Sequence, residues 1–118
     1  SENISLDSMA IFANATVYFE FDKSSLTSKS IQTLKSAVDA LNENSTIEVT
    51  LSGHADERGT REYNLALGQR RAESVSDYLV LNGINKSRIT VKSFGEEKPL
   101  AYSQDEASYA KNRRVEIN

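Results

Sequence analysis

The chain has 118 residues, of which 38% are hydrophobic and 26% are charged, the profile of one globular domain with a modest core. Its net charge of -3 argues against a nucleic acid as partner, because a polyanion needs a basic surface. The absence of cysteine excludes disulfides, thiolate nucleophiles and cysteine-ligated metals. No apolar run reaches the roughly 18 residues of a membrane span, and residues 1–8 lack the basic and apolar segments of a signal peptide. We expect a single domain over residues 1–118.

The first predicted strand follows a weakly patterned N-terminal segment. We expect residues 1–14 to be partly flexible, with a short helix or turn that packs on the domain. Residues 15–22 alternate, and Val17, Phe19 and Phe21 fall on one face. This alternation predicts a half-buried strand.

A helix and a second strand come next. Apolar residues recur at spacings of three and four over residues 28–42, which predicts an amphipathic helix. Thr27 or Ser28 can cap its N-terminus. Residues 47–53 alternate again and predict a strand that ends at a glycine.

The longest predicted helix covers residues 61–82. Thr60 is a suitable N-terminal cap, and Gly83 is suited to a left-handed C-terminal cap. A third strand is predicted over residues 89–94.

A short helix and a last strand complete the chain. Ser103 and Glu106 match a capping box and predict a helix to about residue 110, and residues 115–117 predict the final strand. Helical crossovers imply parallel neighbours among the first three strands, whereas the last strand could run the other way. The expected fold class is α+β, an α/β sandwich with a mixed four-stranded sheet and helices packed on it.

One charged residue interrupts the buried stripe of the long helix. Positions 64, 67, 71, 75, 78, 79 and 82 share one side of that helix, and position 71 is an arginine. A guanidinium on a core-facing stripe is costly unless it meets an anion with good geometry. Asp56, in the loop before the helix, is the candidate. The two residues either neutralise each other or together hold a ligand that bears both charges.

A series of motifs from Val17 to the C-terminus resembles one family. The motifs are Phe19-Glu20-Phe21-Asp22, Gly53-His54-Ala55-Asp56, Asn64-x-x-Leu67-x-x-x-Arg71-Ala72, Gly83-Ile84, Gly95-Glu96-Glu97-Lys98-Pro99 and Asn112-Arg113-Arg114-Val115-Glu116. Taken together, they resemble the OmpA-like C-terminal domain, a family that binds peptidoglycan and has the order βαβαβ(α)β. Residues 56–72 and 94–99 are most similar to the branch called peptidoglycan-associated lipoproteins, or Pal. Those lipoproteins usually carry Asn-Thr where this chain has His54-Ala55, which is more similar to the outer-membrane-protein members.

The resemblance implies a ligand for the charged pair. Peptidoglycan stem peptides of many Gram-negative bacteria contain meso-diaminopimelate, whose free end carries an ammonium and a carboxylate on one carbon. By resemblance, Asp56 meets the ammonium and Arg71 meets the carboxylate. Both contacts would be charge-assisted, and a guanidinium fork suits a carboxylate.

Five more residues belong to the peptidoglycan-binding site that the resemblance implies. Phe21 and Asp22 would lie beside the pocket and use their backbone amides. Asn64 and Leu67 would line its helical wall, and Arg58 would contact the peptide or its terminal carboxylates. No catalytic residue, metal or cofactor is expected.

The resemblance also implies a cellular setting. Pal-like proteins belong to the Tol system, so the expected partners are peptidoglycan, the periplasmic protein TolB and other Tol or outer-membrane proteins. The expected location is the periplasmic face of the Gram-negative outer membrane. Contact with the membrane would come only through a lipidated N-terminal cysteine, which is not among these 118 residues.

Several alternatives remain open at the level of the sequence. The domain could be an OmpA-type wall anchor outside the Tol system, or a protein-interaction domain in which Asp56 and Arg71 form a structural pair. A wall hydrolase using Asp56 or Glu57 is less favoured, because glycosidases need two carboxylates set across a bond. His54 is expected to be a satisfied or exposed histidine, since no group of metal ligands accompanies it. Arg113 and Arg114 stay outside the predicted site, although one of them is expected to hold the last strand through a carboxylate.

Overall fold

The computed structural model describes residues 15–118, so the turn or helix expected within residues 1–14 lies outside the described residues. In chain order the elements are β1 (Thr16–Tyr18), α1 (Ser28–Glu43), β2 (Val49–His54), α2 (Arg61–Leu81), a 3₁₀ turn (Lys86–Arg88), β3 (Ile89–Gly95), α3 (Glu106–Asn112) and β4 (Arg114–Ile117). None of these helices combines the length and the apolar character that crossing a bilayer requires.

The four strands form one mixed sheet in the order β1-β4-β2-β3. Strands β2 and β3 are parallel, whereas β4 is antiparallel to both of its neighbours. The predicted α+β class and mixed four-stranded sheet are therefore confirmed. The prediction of parallel neighbours among the first three strands is wrong for β1, because β4 lies between β1 and β2. Val115 and Ile117 of β4 are fully buried, which an interior position in the sheet provides.

The helix boundaries follow from the predicted caps. The Thr27 side chain accepts a hydrogen bond from the backbone N–H of Ser30, and the Thr60 side chain accepts one from Tyr63. Each cap satisfies a donor that a helix start leaves free. Gly83 follows α2 with a φ of 94°, a left-handed conformation that glycine adopts without a steric penalty.

The core lies between the sheet and the two long helices. Helix α1 contributes Leu34, Ala37, Val38, Ala40 and Leu41, α2 contributes Ala72, Val75 and Leu79, and the strands contribute Val17, Val49, Leu51, Val115 and Ile117. Burial of this apolar surface is the main term that stabilises the domain.

The first strand is shorter than predicted, and this changes the role of Phe21. Phe19 still pairs with Arg113, because its backbone N–H donates a hydrogen bond to the Arg113 carbonyl at 2.9 Å. A turn then forms in which the Lys23 N–H donates to the Glu20 carbonyl. The alternation therefore stops, and Phe21 is 54% exposed instead of facing the core.

The capping box predicted at Ser103 is also wrong. Helix α3 begins two residues later, with Asp105 as its cap and a hydrogen bond of 2.8 Å from the Ser108 N–H to the Asp105 carboxylate. A carboxylate is favoured at this position because it also meets the positive end of the helix dipole.

Close packing of β2 against α2 depends on two glycines. A Cβ atom on Gly53 would overlap the Gly68 carbonyl oxygen, and one on Gly68 would overlap the Ser93 hydroxyl and the Gly53 carbonyl. The strand and the helix therefore approach each other with no side chain between them. This approach brings the end of β2 close to the first half of α2, where the predicted site residues lie.

The expectation that His54 is either hydrogen-bonded or exposed is wrong, because its ring is buried and makes no hydrogen bond to the described residues. Its ring stacks on Phe94 with centroids 5.5 Å apart, and neither ring nitrogen has a hydrogen-bond partner among the described residues. Its Nε2 atom lies 4.0 Å from a Glu116 carboxylate oxygen. Burial, together with the charge of Arg114, lowers the pKa of His54 to about 4, so the ring is neutral near neutral pH.

This histidine predicts a loss of stability in mild acid. Because the folded pKa lies below the ordinary value of 6.5, the unfolded chain binds the proton more readily between about pH 6.5 and pH 4. The free energy of unfolding should therefore fall by about 1 to 2 kcal/mol between pH 7 and pH 5, allowing for screening by solvent. Urea unfolding at both pH values should show this fall in the parent chain. In His54→Phe, which keeps the aromatic stack, the fall in the free energy of unfolding should be smaller by about the same 1 to 2 kcal/mol. An equal fall in both proteins would contradict the prediction.

Candidate functional site

A cavity of about 270 Å³ opens where β2 ends and α2 begins, beside the turn that follows β1. Its lining residues are Phe21, Asp22, Ala55, Asp56, Arg58, Gly59, Tyr63, Asn64, Leu67 and Arg71. All seven residues predicted for the site line this one cavity, together with Ala55, Gly59 and Tyr63. Their role in binding a ligand stays a prediction.

Arg71 reaches the cavity from the buried side of α2. None of its surface is exposed to solvent. Its Nε donates to the Lys23 carbonyl at 2.8 Å, Nη1 to the His54 carbonyl at 2.9 Å, and Nη2 to the Glu20 carbonyl at 3.1 Å. A guanidinium has five N–H donors, so these three bonds leave two.

Asp56 forms no direct ion pair with Arg71, so direct neutralisation, one of the two alternatives drawn from the sequence, is wrong, although the charge of Asp56 favours the protonated form of Arg71 at longer range. Every side-chain hydrogen bond of Arg71 goes to a backbone carbonyl, its guanidinium faces the Phe19 ring at 5.4 Å, and no described carboxylate forms an ion pair with it. Carbonyl dipoles solvate the guanidinium without cancelling its charge. Burial and the nearby charge of Arg113 lower the pKa of Arg71 to about 10, which still leaves it protonated at neutral pH.

Asp56 pairs with Arg58 instead. Its Oδ1 accepts from the backbone N–H and the Nε of Arg58, and its Oδ2 accepts from Arg58 Nη2 at 2.9 Å. Asp56 is only 4% exposed. Burial alone would raise the pKa of this carboxyl, but the hydrogen bonds and charge of Arg58, with a smaller contribution from Arg113, hold it below its ordinary value. Asp56 is therefore an ionised acceptor.

Arg58 lies between two aromatic rings. The carbon of its guanidinium is 4.0 Å from the centroid of Phe21 and 4.3 Å from that of Tyr109. Such cation–π contacts favour a flat guanidinium. They explain why Phe21 faces outward, and they connect the loop before α2 to α3.

Arg113 approaches Asp56 from behind the cavity, and the sequence analysis missed it. Its Nε donates to the Phe19 carbonyl at 2.8 Å, its Nη2 donates to Glu106 at 2.9 Å, and its buried Nη1 lies 3.7 Å from Asp56 Oδ2. Consecutive residues of a strand point to opposite faces. That rule could have shown that one of the two neighbouring arginines faces the site. Arg114 is the one that pairs with a carboxylate of the last strand, Glu116, at 2.7 Å.

The start of α2 supplies the opposite wall. Asn64 is buried, and its amide nitrogen donates to the Arg58 carbonyl at 3.1 Å and to a Glu96 carboxylate oxygen at 2.7 Å. The Tyr63 hydroxyl hydrogen-bonds the Asp22 carboxylate, and Asp22 has a positive φ of 57°, which aspartate tolerates better than most residues.

The arrangement suits binding of a small charged group. The guanidinium groups of Arg58 and Arg113 approach the buried carboxylate of Asp56, and the guanidinium of Arg71 lines the same cavity. Within residues 15–118 no three histidine or acidic side chains are placed to hold a metal ion.

Comparison with known proteins identifies relatives along almost the whole chain. The model of the OmpA family matches residues 18–113. The chain is 47% identical over 111 residues to the peptidoglycan-associated lipoprotein of Pseudomonas aeruginosa, covering 94% of this chain and 66% of that protein. It is 48% identical over 100 residues to the peptidoglycan-associated lipoprotein of Haemophilus influenzae, covering 85% of this chain and 65% of that protein. The chain thus spans slightly less than two thirds of the length of these two relatives.

The fold is shared with a solved structure. The crystal structure of the peptidoglycan-associated lipoprotein from Burkholderia pseudomallei superposes with a TM-score of 0.89 at 39% identity, covering 98% of both chains. The family match and the identity with these lipoproteins agree with the motifs and the sheet topology described above. The chain belongs to the OmpA family.

Proposed function

We propose that this domain is a non-catalytic module that binds peptidoglycan through the meso-diaminopimelate of stem peptides. In this proposal it tethers the outer membrane to the wall from the periplasmic side, through a lipid anchor on the longer protein, as part of the Tol-Pal system. The relatives named peptidoglycan-associated lipoprotein support wall binding. The observation that carries the proposal is the buried guanidinium of Arg71, which has no directly paired carboxylate and lines one cavity with the ionised Asp56.

The two N–H groups of Arg71 that its carbonyl partners leave free suit a ligand carboxylate. A buried charge without a counterion is unfavourable, so an anion at this position would stabilise the folded domain as well as bind to it. We assign the ligand carboxylate to Arg71 on these grounds.

Asp56 is the only carboxylate buried in the cavity wall and is the acceptor for the ligand ammonium. Leu67, Ala55 and the edge of Phe21 line the same cavity and provide apolar surface for the methylene chain of diaminopimelate. A pocket that is mostly apolar, with a few placed charges, is typical of small-ligand sites.

The electrostatics of the cavity do not favour hydrolysis. A general acid needs a carboxyl group with a raised pKa, whereas Asp56 has a lowered pKa. Asp22, the other carboxylate in the lining, is engaged by the Tyr63 hydroxyl. These contacts support a role in binding rather than in catalysis.

The first prediction tests the charged pair with Asp56→Asn and Arg71→Lys, which keep the size or the charge of each side chain. Each should weaken binding of a diaminopimelate stem peptide tenfold or more. Losing a charge-assisted hydrogen bond in a partly desolvated site costs about 1.5 to 3 kcal/mol. Isothermal titration calorimetry measures the affinity.

The matched controls are Asp77→Asn and Arg61→Lys, both at exposed positions of α2. They should bind like the parent. Circular dichroism must show that the site variants are folded, because Arg71 also holds the turn after β1. Parental affinity in folded Asp56→Asn and Arg71→Lys would mean that the site is misassigned.

The second prediction concerns selectivity for the zwitterionic end of the ligand. Lysine at the same stem position has the side-chain ammonium but lacks the adjacent carboxylate, which would leave Arg71 unpaired in the complex. A site built to bond a group discriminates strongly against ligands that lack it. Lysine-type stem peptides, and peptides amidated at that carboxylate, should bind at least about tenfold more weakly. Equal affinities in calorimetry would remove Arg71 from this role.

The third prediction concerns TolB. We expect TolB to share the cavity rim, formed by Phe21, Asp22, the 58–60 loop and the start of α2, because loops on a rigid scaffold are where ligands of a small domain overlap. A soluble diaminopimelate peptide should therefore raise the apparent Kd of TolB in proportion to its concentration. Surface plasmon resonance with immobilised domain measures this. Undiminished TolB affinity at saturating peptide would indicate separate surfaces, and absence of TolB binding would favour an OmpA-type anchor outside the Tol system.

A further inference from the structure

Arg58 has a second carboxylate within reach. Its Nη2 atom lies 2.9 Å from Asp56 Oδ2 and 3.8 Å from Glu106 Oε1. Glu106 belongs to the first turn of α3, is 69% exposed, and uses its other oxygen, Oε2, to accept from Arg113 Nη2 at 2.9 Å. Asp56, Arg58, Glu106 and Arg113 thus form a closed ring of alternating charges.

The contacts of Asp56 conflict with a ligand ammonium at the same carboxylate. A carboxylate offers about four lone-pair positions, and Arg58 occupies three of them. The nearby Nη1 of Arg113 adds a second positive charge 3.7 Å away. A third cation would be repelled by both guanidinium groups unless one of them moved.

Arg58 is the group that is able to move. Its side chain is 36% exposed, whereas that of Arg113 is 8% exposed. The guanidinium carbon lies 4.0 Å from the ring centroid of Phe21 and 4.3 Å from that of Tyr109, and cation–π attraction extends to about 6 Å from a centroid, so a small shift keeps both contacts. Such a shift brings Nη2 from Asp56 toward the unoccupied Oε1 of Glu106, over a gap that is already only 3.8 Å.

We propose that Glu106 is a further positioning residue of the site, the acceptor to which Arg58 transfers when a ligand ammonium takes Asp56. The proposal rests on the function proposed above and adds α3 to the binding machinery. Arg58 is then an internal competitor of the ligand rather than a contact to it. The ammonium replaces the Arg58 side chain on Asp56, the Arg58 backbone N–H keeps its bond, and Glu106 neutralises the guanidinium that has been displaced.

The test is a double-mutant cycle on the affinity for a diaminopimelate stem peptide. Glu106→Gln should weaken binding up to about fivefold, because it removes an acceptor worth about as much as a partly exposed ion pair. Arg58→Met, which keeps an unbranched side chain at this position, removes the guanidinium and provides the background of the cycle. In the Arg58→Met background, Glu106→Gln should have no effect, since no guanidinium needs a second acceptor.

The matched control is Glu57→Gln, an exposed acid in the same loop that contacts Gln104 instead of Arg58. It changes the net charge equally and should leave affinity at the parental value. A stem peptide that lacks the terminal ammonium provides an independent readout. Its affinity should not respond to Glu106→Gln, because it does not compete for Asp56.

Two outcomes would overturn the exchange. One is an effect of Glu106→Gln that appears undiminished with the peptide lacking the terminal ammonium. The other is an identical effect of Glu106→Gln in the parent and in Arg58→Met. Both leave the proposed function intact, because the parent still binds. Failure of the parent itself to bind the diaminopimelate peptide would instead contradict the proposed function.

Discussion

The site depends on one buried guanidinium that joins three parts of the chain. Arg71 of α2 donates to the carbonyls of Glu20 and Lys23 in the turn after β1, and to that of His54 at the end of β2. These are the segments that form the cavity wall. The same group therefore organises the pocket backbone and carries the charge to which we assign the ligand carboxylate. This combination explains why a costly buried charge is retained in so small a domain.

The glycine contact between β2 and α2 makes this arrangement geometrically possible. With no Cβ atom on Gly53 or Gly68, the strand meets the helix backbone directly, and the His54 carbonyl comes within hydrogen-bond distance of a side chain only three residues after Gly68. Behind them, Arg113, at the junction of α3 and β4, repeats the pattern with one bond to the Phe19 carbonyl. Two arginines from different elements thus fix the course of residues 19–23.

Local patterns in the sequence were sufficient for most of the fold, because helix caps and apolar periodicity act over a few residues. Thr27, Thr60 and Gly83 marked their helix ends correctly. The neighbours of β1 were not predictable in this way, since strand order is decided by which strands bury most apolar surface across the whole sheet. The cap of α3 was missed because Ser103 and Asp105 are both good caps, and the carboxylate is better placed at the helix dipole.

The candidate site was predictable in its members but not in its pairings. All seven residues that the motifs predicted line the cavity, yet the partner of Asp56 proved to be Arg58, two residues away, which spacing on a helix cannot show. Arg113 and Glu106 are far from the loop in sequence, and only the tertiary fold brings them to it. The environment of His54 was wrongly predicted because the burial of its neutral ring against Phe94 depends on the tertiary fold and cannot be inferred from the residues next to it in the sequence.

The anchoring of Arg71 by main-chain oxygens has a consequence for how such domains can diverge. Every residue type presents a carbonyl, so the side chains of Glu20, Phe21, Asp22 and Lys23, all on the exposed surface, are not needed to hold the guanidinium. Substitutions of Glu20 or Lys23, whose side chains do not line the cavity, can therefore change the outer surface while this main-chain anchor keeps its geometry. Under the function proposed above, a lineage could exchange the proteins that this surface recognises and retain the same small-molecule specificity beneath it.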